Sequence, residues 1–77
     1  MTQDEITIRL EQLKPGDSIR VFFAEGGFLP LKVKRLTRHF GDLLAVEAEG
    51  YRISRKDFAN PWEVRVGDKL KQVAEIL

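Results

Sequence analysis

The sequence predicts a mostly β fold, a small antiparallel barrel of five to six strands, on three observations. Apolar and polar residues alternate with period two in several short runs. Each run is bounded by residues with turn chemistry, and 77 residues leave room for one core only. Residues 1–77 are therefore read as a single domain. Hydrophobic residues make up 43% and charged residues 32%, a balance that folds rather than staying extended.

In chain order, Ile6, Ile8 and Leu10 alternate with Thr7 and Arg9 and are read as a first strand. Ile19, Val21 and Phe23 alternate with Ser18, Arg20 and Phe22, and Leu29, Leu31 and Val33 flank Pro30 and Lys32. Leu44, Val46 and Ala48 alternate with Ala45, Glu47 and Glu49, with the first set expected inside. Tyr51 to Ser54 and Trp62 to Val66 give two shorter strands. Arg35-Leu36 breaks the alternation of its run and predicts a bulge there.

The connections follow from backbone geometry. Lys14-Pro15-Gly16-Asp17 places proline second and glycine third, as a type II turn requires. Glu25-Gly26-Gly27 and His39-Phe40-Gly41-Asp42 predict two successive hairpins, hence a meander. Gly50 makes a tighter break, and Ser54-Arg55-Lys56-Asp57-Phe58 suits one short helical turn before Asn60-Pro61 and the last strand. Gly-Asp recurs at residues 16, 41 and 67 and is read as turn chemistry ahead of successive elements rather than as a repeat. From Asp68 to Leu77 the apolar residues Leu70, Val73, Ala74 and Leu77 fall at helical spacing and favour a short C-terminal helix. The alternative is a hairpin through Gly67-Asp68, which needs a longer turn or a bulge because a two-residue loop sets Leu70 on the face opposite Val64 and Val66.

Closure into a barrel suits a chain this short, which cannot spare open sheet edges, and Pro30 fits an edge or bulge position. Trp62 and the five Phe supply large apolar areas, and most of these rings are expected in the core. An initial strand leading to Leu13-Lys14-Pro15-Gly16-Asp17, a three-strand meander, a short strand, one helical turn and a closing strand together resemble the small Src-homology-3-like barrels. Bacterial versions, such as the KOW and other translation-type barrels and the accessory domain of ferrous-iron transport, often open with a similar Leu-x-Pro-Gly-Asp-x-Ile-x-Val phrase, here Leu13 through Val21. The resemblance spans roughly residues 13 to 66 and implies the fold. Phe28-Leu29-Pro30-Leu31 departs from the KOW pattern, which has glycine early in its second strand, and no ligand residue is carried over.

Thirteen Lys and Arg against twelve Asp and Glu leave a net charge of +1, so any electrostatic recognition must come from local patches. The absence of cysteine removes disulfides, thiolate metal sites and thiol nucleophiles and points to a cytoplasmic setting. The acidic start and the lack of a long apolar run predict a soluble chain with neither leader nor spanning segment and no membrane role. His39 is the one histidine, and nothing in the sequence brings it to Asp42 and Ser18 or Ser54 together, so no enzyme activity, cofactor or metal is expected.

The informative feature is charge distribution. Between Phe28 and Phe40 stand Lys32, Lys34, Arg35, Arg38 and His39 with no acid among them, and Arg52, Arg55 and Lys56 form a second basic group. Arg20 shares an outward strand face with Phe22, a ring expected to be exposed, while Phe28, Phe40 and Tyr51 occupy or flank turns. These residues predict a non-catalytic, monomeric module that docks a protein partner with an acidic surface through the basic strand face and turn aromatics. The alternative is RNA or DNA binding by the same face, with rings stacking on bases. The sequence pI of about 8.1 falls short of the strongly basic footprint usual for that class.

Overall fold

The computed structural model describes all of residues 1–77: one helix, α1 (Gln3–Glu11), precedes six strands, β1 (Ser18–Phe23), β2 (Phe28–His39), β3 (Asp42–Ala48), β4 (Tyr51–Ser54), β5 (Glu63–Val66) and β6 (Lys69–Ile76). Each strand pairs antiparallel with the next, and β6 returns to β1, so the sheet closes into a six-stranded barrel. No helix is long and apolar enough to cross a membrane.

The strand count agrees with the sequence reading, but its membership differs at both ends of the chain. Residues 6–10 are helical, not a strand. Thr2 caps the helix through its hydroxyl on Glu5 N, while the Glu5 carboxylate accepts from Thr2 N at 2.8 Å, a reciprocal capping box. Ile6 and Leu10, four residues apart, point into the core, whereas Ile8 is 59% exposed. Period two and period 3.6 share positions 6 and 10, and the cap decides between them.

The C-terminal segment is the sixth strand, not a helix. Gly67-Asp68 forms a two-residue turn, with Val66 opposite Lys69. Leu70 then lies outside at 48% exposure, as that turn length demands. Burial is recovered further along. Val21 faces Ile76 and Phe22 faces Glu75, but Phe23 faces Val73, so Ala74 is the extra residue of a bulge. That bulge lets Val73 and Ile76, three residues apart, both enter the core and imitates helical spacing in the sequence.

Smaller departures have similar causes. Residues 55–60 hold no helical turn. Asp57 instead organises the loop, its carboxylate accepting from Ala59 N at 2.8 Å and its carbonyl from Asn60 N at 3.1 Å. In β2 the extra residue is Lys34, one position before the expected break, since Val33 faces Ala48 and Arg35 faces Glu47. In β3, Thr37 faces Ala45 but Arg38 faces Leu43, so Leu44 is bulged outward and Leu43 fills the core in its place.

The type II turn at Lys14–Asp17 forms with Gly16 at φ +96° and an Asp17 N to Lys14 O bond of 3.0 Å. Pro30 occupies an edge in effect. The first half of β2 pairs with β1 alone, and Arg20, opposite Pro30, gives its N–H and C=O to Leu77 beside it. The nitrogen of Pro30 therefore faces the side where no strand lies, which is where a residue without a donor belongs.

The core is aliphatic around one indole. Trp62 is fully buried, yet only Trp62 and Phe23 of the seven aromatic residues are buried, so the expectation that most rings pack inside is corrected. Ile, Leu and Val fill the lumen and leave Phe28, Phe40 and Phe58 outside. The helix is pinned to the barrel by polar contacts as well as by Ile6 and Leu10. Gln3 Nε2 donates to Val73 O (3.1 Å), Gln3 Oε1 accepts from Trp62 N (2.9 Å), and Trp62 Nε1 donates to Thr7 Oγ1 (2.8 Å).

Candidate functional site

The outer face of the β1–β2 hairpin carries the densest set of residues expected to bind. Inward Ile19, Val21, Leu31 and Val33 force Ser18, Arg20, Phe22, Phe28, Pro30 and Lys32 outward. The register sets Phe22 opposite Phe28, Arg20 opposite Pro30 and Ser18 opposite Lys32. The two phenyl rings stack with centroids 5.3 Å apart and planes inclined by 28°. Phe22 is half-buried rather than exposed, because Phe28 lies against it, and Phe28 itself remains 54% exposed. Neither Arg20 nor Lys32 has a carboxylate within ion-pair distance. Leu77, joined to Arg20 by two backbone bonds of 2.9 Å, extends the apolar surface beside Pro30. Leu77, at helical spacing in the sequence, and Pro30, outward through the register, join this face without a local signal that marks them.

The basic stripe along β2 does not continue as one field. Lys34 is displaced by its bulge, and Arg35 stands opposite Glu47, which in turn stands opposite Arg52. Arg52 Nε lies 2.9 Å from Glu47 Oε1. Arg38 is taken up at the far end of the strand, 3.7 Å from Glu11 and 3.4 Å from the carbonyl of Gly41. The two basic groups therefore meet only at Arg35 and Arg52, with a carboxylate between them.

His39 and Phe40 form the exposed β2–β3 hairpin, their rings stacked at 4.4 Å. His39 faces Asp42, while Ser18 and Ser54 belong to other strand pairs, so no hydroxyl, imidazole and carboxylate are aligned. Phe40 is 97% exposed and has φ +51°, followed by Gly41 at +85°. Two successive positive φ values are those of a type I′ turn, a geometry that favours Asn or Gly at both positions. No three His, Asp or Glu side chains converge as metal ligands do.

Arg55 has a structural task. Its guanidinium lies 4.5 Å from the Trp62 ring and 4.9 Å from the Phe58 ring, a cation held over two aromatic faces. Lys56 is exposed beside a hollow of about 240 Å³ that Leu43, Leu44 and Phe58 also line. Arg20, Phe22, Phe28 and Lys32 are thus gathered on one face, while Arg38, His39, Phe40, Arg55 and Lys56 stand elsewhere. Comparison with known proteins finds no family model, curated protein or solved structure that matches this chain.

Proposed function

We propose that this barrel is a non-catalytic interaction module that docks a protein partner through the outer face of β1 and β2. The observation that carries the reading is the open Phe22/Phe28 stack flanked by two unpaired cations, Arg20 and Lys32. Aromatic rings already stacked lose little side-chain freedom on association and supply the buried anchor. The cations select a partner with carboxylates around an apolar centre and set its register. Lys34 extends the rim, and a monomer in the cytoplasm is the setting in which this face stays open.

Cross-linking of the intact protein to its partners, with Phe28→Ser and the Arg20→Glu/Lys32→Glu pair as variants, tests the proposal. A specific partner lost in both variants supports it. A partner set unchanged by either refutes it. If fluorescence anisotropy instead finds salt-sensitive association with mixed oligonucleotides that both variants abolish, the face binds nucleic acid and the protein-docking reading fails.

A further inference from the structure

We propose that a cleft on the opposite seam of the barrel, between the β3–β4 and β5–β6 hairpins, binds a phosphate-bearing ligand through Arg52 and Arg65. This site goes beyond the docking face, none of whose residues line it.

The cleft follows from register. Strands β4 and β5 form the shortest ladder in the barrel, two pairs, Ile53 opposite Val64 and Ser54 opposite Glu63. On one side β3 and β4 stay paired out to Ala48 and Tyr51, and on the other β5 and β6 stay paired out to Val66 and Lys69. The two hairpins therefore diverge beyond Ile53 and Val64. The space they leave is the largest concavity of the molecule, about 970 Å³, lined among others by Glu47, Tyr51, Arg52, Ser54, Arg65 and Leu70. That size is at the upper end of small-ligand sites.

Its charge is unbalanced. Arg52 and Arg65 are the first residues past the last β4–β5 pair, both exposed and both outward, since their neighbours Ile53 and Val64 are buried. Like charges facing each other across neighbouring strands repel. Glu47 is the one carboxylate in the row that runs from Arg35 through Arg52 to Arg65, and Arg65 has no ion-pair partner. Within the lining, two guanidinium groups against one carboxylate leave a net positive charge, which suits an anionic phosphate group. The geometry agrees. Glu47 engages Arg52 through Nε, which fixes the side chain and leaves the terminal nitrogens for a ligand. Planar guanidinium forks suit phosphate oxygens. Leu70, exposed, and Tyr51, half-buried, give the cleft an apolar part on which a base or sugar can rest.

Amide chemical-shift titrations of the full chain test this with three probes: inorganic phosphate, adenosine monophosphate and a short oligothymidylate. The expected result is movement at Arg52, Ser54, Arg65 and Leu70, with affinity lowered about tenfold by Arg65→Gln and less by Arg65→Lys, which keeps charge but loses the fork. Phe28→Ser leaves the affinity unchanged, which separates this site from the docking face. Response to the monophosphate identifies a free nucleotide-like ligand. Response to the oligonucleotide alone, at the same residues and weakened by the same variant, identifies the phosphates of a single strand. No movement with any probe at millimolar concentration overturns the proposal, as does movement confined to Arg20, Lys32 and Lys34, or an affinity indifferent to Arg65→Gln in a protein whose circular dichroism is unchanged.

Discussion

Thr7→Val isolates one contact between the helix and the barrel. Thr7 Oγ1 accepts the indole N–H of Trp62 at 2.8 Å, and that indole is fully buried. Valine has the same shape and nearly the same helix propensity, so packing and helix formation are conserved while the acceptor disappears. The hydroxyl also donates to Gln3 O at 3.0 Å, but a back-bond within a helix contributes little. A buried N–H left without a partner costs about 1–3 kcal/mol. Against a total of roughly 4–12 kcal/mol for a chain of this length, that is a large fraction. A loss of about 2 kcal/mol corresponds to a fall in Tm on the order of 8–16 °C. Urea titrations followed by circular dichroism give the value directly, provided the m-value is shared with the parent. The control is the same substitution in a Trp62→Phe background, where no N–H remains to be orphaned and the added cost falls below about 0.5 kcal/mol. A Thr7→Val protein as stable as its parent, or an equal loss in both backgrounds, refutes the claim that the indole anchors the helix.

Leu10→Ala costs about 2–5 kcal/mol and Ile8→Ala less than about 0.5 kcal/mol in the same titration, because only the first faces the core; equal losses would return this segment to a strand. Phe40→Asn stabilises the protein by roughly 0.5–1 kcal/mol, since asparagine tolerates the positive φ that phenylalanine adopts at strain, and a lower urea midpoint contradicts this. The bonds from Thr2 hold the Glu5 carboxyl below its ordinary value of 4.5. Its folded pKa being depressed, its contribution is present above that value and lost as pH falls through the lowered one; Glu5→Gln therefore flattens the pH dependence of stability on the acid side of about 4.5, and an unchanged acid limb counts against the capping box.

The middle of the chain was legible because its turns and its alternation agree. Gly16, Gly41 and Gly67 each open a strand, as the Gly-Asp repetition suggested, and inward Ile19, Val21, Leu31 and Val33 fix the outward set. The ends were not, because the deciding residues carry information that period alone does not. Thr2 and Glu5 at capping-box spacing precede Ile6 and mark a helix start, a sign overlooked beside the alternation of Ile6, Ile8 and Leu10. At the other end a bulge at Ala74 shifts the phase of β6; the hairpin alternative calls for such an irregularity, but the helical spacing of Leu70, Val73, Ala74 and Leu77 outweighs it in the sequence. Alternation places Arg20, Phe22 and Lys32 on the outward side of β1 and β2, but which candidate residues share a surface depends on register. Arg65 illustrates the gap. Its outward position follows from its buried neighbour Val64, yet the cleft it lines with Arg52 exists only because the β4–β5 ladder stops after two pairs.

Register also changes what the charges do. A continuous cationic stripe along β2 would act at long range, but Arg38 is engaged by Glu11 and the row through Arg35 and Arg52 contains Glu47. Beyond a Debye length of about 8 Å these opposite charges merge into the nearly neutral field of a molecule with net charge +1. Steering of a partner over distance is therefore weak, and selectivity at either surface has to arise on contact. In the docking proposed for β1 and β2 that contact is led by the phenyl stack, with Arg20 and Lys32 discriminating among acidic partners. In the anion binding proposed for the β4–β5 cleft it is led by the guanidinium pair itself. Raised salt should accordingly leave association at the phenyl face largely intact and weaken anion binding in the cleft. The opposite pattern would assign the leading role on β1 and β2 to the cations.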